Sequence, residues 1–130
     1  MKQVSLALSV VLACLFTVVA CDYGKPAGTA TTAVGADTAL MAPAGSPGRA
    51  DNDEGVSHYK QGHWDVASDG FKKAIKADPN LAEAHYNLAL SLDKMGKHED
   101  ATASFKQAAS LAPTNPTIKD SPILKKHLGM

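Results

Sequence analysis

The sequence predicts an all-α fold: a short array of two helix–turn–helix units followed by a C-terminal capping helix. Three observations carry this. Offsetting the chain by 34 residues aligns 51–79 with 85–113 and gives eight identities, where average residue usage gives about two by chance. Ala67, Phe71 and Ala74, and then Ala101, Phe105 and Ala108, recur at spacings of four and three, the stripe of a helix with one buried face. Pro79 and Pro113 fall at the same place in each unit, where a residue without an N–H ends a helix.

Each element follows from local chemistry. The spacing predicts helices near 51–61, 64–77, 81–95 and 98–111. Asp51 with Glu54, and Asn80 with Glu83, read as capping boxes for the first and third helices. Gly62 and Gly96 stand where the first helix of each unit ends and a left-handed residue is wanted. Gly55 and Ala89 are small residues at the same place in the first helix of each unit. Ser121 and Pro122, ahead of Ile123, Leu124 and Leu128, read as an N-cap and first position of a short final helix.

The identities at 34 residues are Ser57/Ser91, Lys60/Lys94, Gly62/Gly96, Ala67/Ala101, Phe71/Phe105, Lys72/Lys106, Ala74/Ala108 and Pro79/Pro113. They resemble the tetratricopeptide repeat, whose period is 34 residues. An ordinary four-helix bundle would show the helical period but not identities at this offset. The first unit departs more from the pattern, with Glu54 and His58 at apolar sites, and His85 stands where Trp is typical. The resemblance implies that the first helices of the units line a groove for peptides or partner segments. Carried over position by position, that groove presents Asn52, Asp53, Val56, Tyr59, Lys60, Glu83, Tyr86, Asn87, Leu90, Asp93 and Lys94. Tyr59 and Tyr86 have two readings, as interface anchors or as packing between helices. The Lys and Asn clamp of one subclass is incomplete, since only Asn87 matches. Two units are few, because about three are usually needed for stability; either the 115–130 segment caps the open end, or a second copy covers it.

The amino-terminal part has a different character. Residues 3–20 carry no charge and follow Lys2, the pattern of an export signal. Val18-Val19-Ala20-Cys21 at its end resembles the bacterial lipobox. Val11-Leu12-Ala13-Cys14 also fits, but cutting there leaves a very short apolar core. The resemblance implies cleavage before Cys21, with covalent lipid on its sulfur and new amino terminus. Stable anchoring in a bilayer then follows, since one acyl chain alone holds weakly and several hold well. Asp22 resembles the signal for inner-membrane retention in enterobacterial lipoproteins, with the outer membrane the alternative. The expected location is the bacterial cell envelope, facing the periplasm.

Residues 22–50 contain 21 Gly, Ala, Pro, Ser or Thr among 29 and show no apolar period. They read as a flexible linker, with a reach of about 30 Å.

The composition excludes several functions. With 13 basic and 13 acidic residues the formal net charge is zero, so no excess of positive charge points to nucleic acid. After cleavage Cys21 would be the last cysteine, so no intramolecular disulfide is expected, and Cys-x-x-Cys and Cys-x-x-Cys-His motifs are absent. There is no phosphate loop and no nucleophile elbow. The histidines (His58, His63, His85, His98 and His127) are scattered and read as surface or interhelical residues, not as a catalytic or metal set. No enzyme activity and no cofactor beyond the Cys21 lipid are expected. The reading is a membrane-anchored adaptor for other envelope proteins or peptide segments. Its alternative is a self-associating structural component forming homo-oligomers.

Overall fold

Among the described residues of the computed structural model six helices follow one another: α1 Arg49–Lys60, α2 Trp64–Ala77, α3 Ala82–Lys94, α4 His98–Leu111, α5 Pro116–Lys119 and α6 Pro122–Leu128. The structure describes residues 38–130. The expected export signal at 1–20, Cys21, Asp22 and the expected linker through residue 37 lie outside the described residues. The described helices belong to one unit, Thr31–Met130. Among them no helix is long and apolar enough to cross a membrane.

The two repeats are α1–α2 and α3–α4, and α2 also packs on α3. Each repeat turns at a glycine in the left-handed region, Gly62 at φ +81° and Gly96 at φ +75°, where a side chain would be strained. The sequence places the starts of α1 and α3 less well. α1 begins two residues before Asp51, and its N-cap is Gly48, without a side-chain cap. Asp51 therefore lies inside the first turn, where a carboxylate favours the positive end of the helix dipole. The N-cap of α3 is Leu81, also without a side-chain cap. Asn80 stands one residue outside, with its N–H on Asp78 Oδ1 at 3.2 Å.

The core is small and made from the repeated positions. Ala67, Phe71 and Ala74 on α2, and Ala101, Phe105 and Ala108 on α4, are fully buried. Within the first repeat the helices approach through glycines. A Cβ on Gly55 would sit 2.7 Å from Phe71 Cε1, and one on Gly70 would sit 3.1 Å from Gly55 Cα.

The last two helices close the second repeat. α6 packs on α4, and α5 contacts both. Ile118 and Leu124 are buried with Tyr86, Leu90 and Phe105 in the main apolar cluster. Ser121 caps α6 by accepting from the Leu124 N–H at 3.4 Å, and its Oγ meets Tyr86 Oη at 2.8 Å. α5 has no counterpart in the sequence reading. Its signal is Asn115-Pro116: the Asn side chain caps, accepting from Thr117 N–H at 3.0 Å, and Pro takes the first position.

Candidate functional site

The face shared by α1 and α3 is occupied by the chain itself. Residues 38–42, Thr-Ala-Leu-Met-Ala, lie outside any helix and are fastened through their main chain. Leu40 is held at both of its backbone polar groups. Its N–H donates to Asn87 Oδ1 at 2.7 Å. Its carbonyl accepts from Asn87 Nδ2 at 2.7 Å and from Asn52 Nδ2 at 2.9 Å. Asn87 Nδ2 also donates to Asn52 Oδ1 at 2.9 Å, which orients the two amides against each other. Two residues on, the Ala42 N–H donates to Asp53 Oδ1 at 3.1 Å.

The helices explain why these side chains meet. Asn52 and Asp53 lie early on α1, Asn87 lies near the middle of α3, and the two helices touch. Both asparagines are 0% exposed, and a buried amide is tolerated only when its donors and acceptors are matched. Here the peptide backbone of residue 40 matches them. A side-chain amide facing a peptide unit satisfies one N–H and one C=O whatever the side chain between them.

Apolar contacts complete the seating. Ala39 joins the main cluster with Val56, Tyr59, Tyr86 and Leu90, and Leu40 packs against it. Ala42 joins a second cluster with Ala74, Leu81 and Ala84. The chain then turns through 43–48, with Ser46 Oγ donating to Asp78 Oδ2 at 2.8 Å. A Cβ on Gly48 would run into the Ala74 carbonyl. Residues 38–48, the end of the expected flexible linker, are therefore built into the domain, and residues 49 and 50 are already helix.

Asp53 is tuned by this seating. Burial alone would raise its carboxyl, but the Ala42 N–H, the Asn52 amide and the Arg49 guanidinium outweigh that and hold it below its ordinary value of 3.8. The Arg49 pair, at 3.3 Å, is half in solvent and is the weaker element.

The sequence-assigned groove residues divide into four groups, Asp93 standing alone in the last. Asn52, Asp53 and Asn87 meet on the Leu40 and Ala42 backbone. Val56, Tyr59, Tyr86 and Leu90 are buried in the core. Tyr59 stands edge-on to Trp64 with centroids 4.8 Å apart, and Tyr86 edge-on to Phe105 at 5.6 Å, so both tyrosines take the packing reading. Lys60 and Lys94 are exposed and Glu83 is half-buried.

Asp93 lies elsewhere, at the centre of a cluster that the spacing of the histidines conceals. Its Oδ1 accepts from His98 Nδ1 at 2.8 Å and from His127 Nε2 at 2.9 Å. Burial raises the Asp93 carboxyl, but these two hydrogen bonds and the imidazole charges outweigh it and hold the group below its ordinary range. Among the other histidines, His58 and His63 stand 5.9 Å apart by ring centroid, and His85 Nε2 meets the Pro79 carbonyl at 3.0 Å.

The comparisons with known proteins agree with the repeat geometry. Residues 52–116 match the family model described as tetratricopeptide repeat. The chain is 32% identical over 65 residues to protein bimA of Emericella nidulans, which is 50% of this chain and 8% of that protein. The chain thus spans a small fraction of the relative it matches. A match over 65 of 130 residues, on helices that pack as two successive helix–turn–helix units, establishes that this chain belongs to the tetratricopeptide repeat family.

Proposed function

We propose that this chain is a lipid-anchored adaptor of the bacterial cell envelope, fixed to the bilayer through Cys21, whose α1–α3 face takes an extended segment of another envelope protein. Repeats of this family suggest protein–protein interaction, and the seating of Leu40 supports the mode. Asn52 and Asn87 grip a main chain and leave its side chains to choose the partner. Residues 38–42 hold the face until a competing segment takes their place. The lipobox residues Val18 to Cys21 and the apolar run before them support the anchor.

The test of the face is a peptide of residues 38–44 added to the Leu40→Pro chain, followed by the side-chain amide resonances of Asn52 and Asn87. Saturable shifts of both, absent from a Leu40→Pro/Asn87→Ala chain, are expected. Shifts that persist without Asn87 would refute the clamp.

A further inference from the structure

We propose that Asp93, His98 and His127 form a binding site for a divalent transition-metal ion, zinc being the natural occupant, which fastens the C-terminal helix to the second repeat. The three residues come from three places: the end of α3, the first residue of α4, and α6. Their ligand atoms all lie within 4.8 Å of one another. Two imidazole nitrogens and one carboxylate oxygen form a donor set that suits zinc and its neighbours.

The two oxygen–nitrogen separations are close to what an ion requires. Four-coordinate zinc with bonds of about 2.0–2.1 Å holds its ligand atoms roughly 3.3 Å apart. Here the Asp93 oxygen is 2.8 Å from one nitrogen and 2.9 Å from the other, so an outward shift of about half an ångström admits the ion. His98 is largely exposed and free to make that shift, whereas the side chain of His127 is only 9% exposed. The His127 ring packs on Phe105 with centroids 5.0 Å apart.

The proton arrangement also fits. The Thr102 hydroxyl donates to the His98 carbonyl at 2.8 Å. Its one proton is then used, so its contact of 2.9 Å with His127 Nδ1 is made by an N–H on that nitrogen. Without an ion, a proton on Nε2 joins that nitrogen to Asp93; when an ion replaces that proton, the ring keeps its Nδ1 proton and turns the Nε2 lone pair to the ion. Thr102 is therefore the outer partner that orients a metal-binding histidine. Either a proton or a metal ion fits between Nε2 and the Asp93 carboxylate. A cavity of about 300 Å³ beside the three ligands leaves room for a water as fourth ligand. Lys126 lines the same cavity and is exposed; its long chain lets the ammonium stay in solvent.

The test is titration of the full chain in detergent with zinc chloride, after removal of metals by chelation, read by calorimetry and by the thermal midpoint. The wild-type chain is expected to bind one zinc ion and to gain thermal stability. His98→Ala changes an exposed residue, leaves the fold intact and is expected to weaken binding at least tenfold. Thr102→Ala is expected to weaken it by about 10- to 100-fold. His85→Ala, outside the cluster, binds as wild type. Equal affinity in the wild-type and His98→Ala chains, or no saturable binding by the wild type, would overturn the proposal.

Discussion

Replacing Leu40 with proline tests the seating of residues 38–42 from the side of the strap, leaving every residue of the repeats unchanged. The segment makes four hydrogen bonds, Leu40 to Asn87 twice, Leu40 to Asn52 and Ala42 to Asp53. At about 1 kcal/mol net each they contribute about 4 kcal/mol. The buried methyls of Ala39 and Ala42 and the half-buried Leu40 add about 2–3 kcal/mol. Ordering five residues costs about 5–10 kcal/mol. The balance lies within a few kcal/mol of zero, so the strap is seated but releasable.

Proline removes the Leu40 N–H and leaves Asn87 Oδ1 buried without its donor, a loss of about 1–3 kcal/mol. The stiffer free chain returns about 0.4–1 kcal/mol. The net loss is about 0–2.6 kcal/mol, so the population of the released strap rises by up to about 70-fold, at a tenfold change per 1.4 kcal/mol. Hydrogen exchange of the Ala42 amide reads this directly, because that N–H is covered only while the strap is down. Faster exchange at Ala42, with the α3 and α4 amides unchanged, is expected, and Asn87→Ala should give the same pattern. Unchanged exchange at Ala42 in the Leu40→Pro chain would refute the clamp, and equal acceleration throughout the repeats would show that the segment is part of the core.

Acid should release the strap as well. A carboxyl held below its ordinary value stabilises the fold above that value and loses the contribution as pH falls through its lowered folded value, so Ala42 exchange should accelerate below about pH 3.8 and stop doing so in Asp53→Asn. Gly55→Ala puts a methyl 2.7 and 2.8 Å from the Phe71 ring, and a loss of about 1–3 kcal/mol is expected in urea unfolding. Tyr86→Phe removes the partner of the buried Ser121 hydroxyl, which keeps the Leu124 N–H; about 1 kcal/mol should be lost, read as faster exchange confined to α5 and α6. Cys21→Ser should abolish incorporation of labelled palmitate and release the chain from membranes, and labelling that survives the change would place the lipid elsewhere.

The repeat was legible because its positions are set by a backbone constraint that recurs. Gly62 and Gly96 must take positive φ, and Phe71 and Phe105 must fill the same cavity twice, so each leaves an identity at a fixed offset. The strap left no such trace. A main chain gripped by asparagines needs no particular side chain, and Ala-Leu-Met-Ala in a stretch rich in Ala and Gly reads as linker. The one available hint was Leu40-Met41, the pair of large apolar residues among the small ones of 22–50. The assigned groove positions lie on α1 and α3, but each of these helices buries one side, and the 34-residue offset does not say which. That is why Tyr59 and Tyr86 fell into the core while Asn52 and Asn87 reached the strap. The histidine cluster was hidden for a different reason. Asp93 and His98 flank the Gly96 turn, but His127 arrives only because α6 folds back on α4, a long-range contact that local spacing does not encode.

Two repeats are fewer than this architecture usually needs, and the structure shows how the shortfall is met. The two-unit array leaves two surfaces to be covered: the α1–α3 face and the open side of the last helix. Residues 38–42 cover the first with one extended segment, and α5–α6 cover the second with Ile118 and Leu124. Among the described residues the large apolar side chains left exposed are Met41, Val66 and Met130, scattered singly and not gathered into a patch that demands a second copy. The two covers differ in kind. The C-terminal one is apolar and locked by Tyr86, Ser121 and the Asp93 cluster, so its removal exposes core. The strap is held mostly by hydrogen bonds to its backbone, which water or another peptide can replace bond for bond. On so small an array one end is stable and the other exchangeable, and the proposed partner segment would enter at the strap.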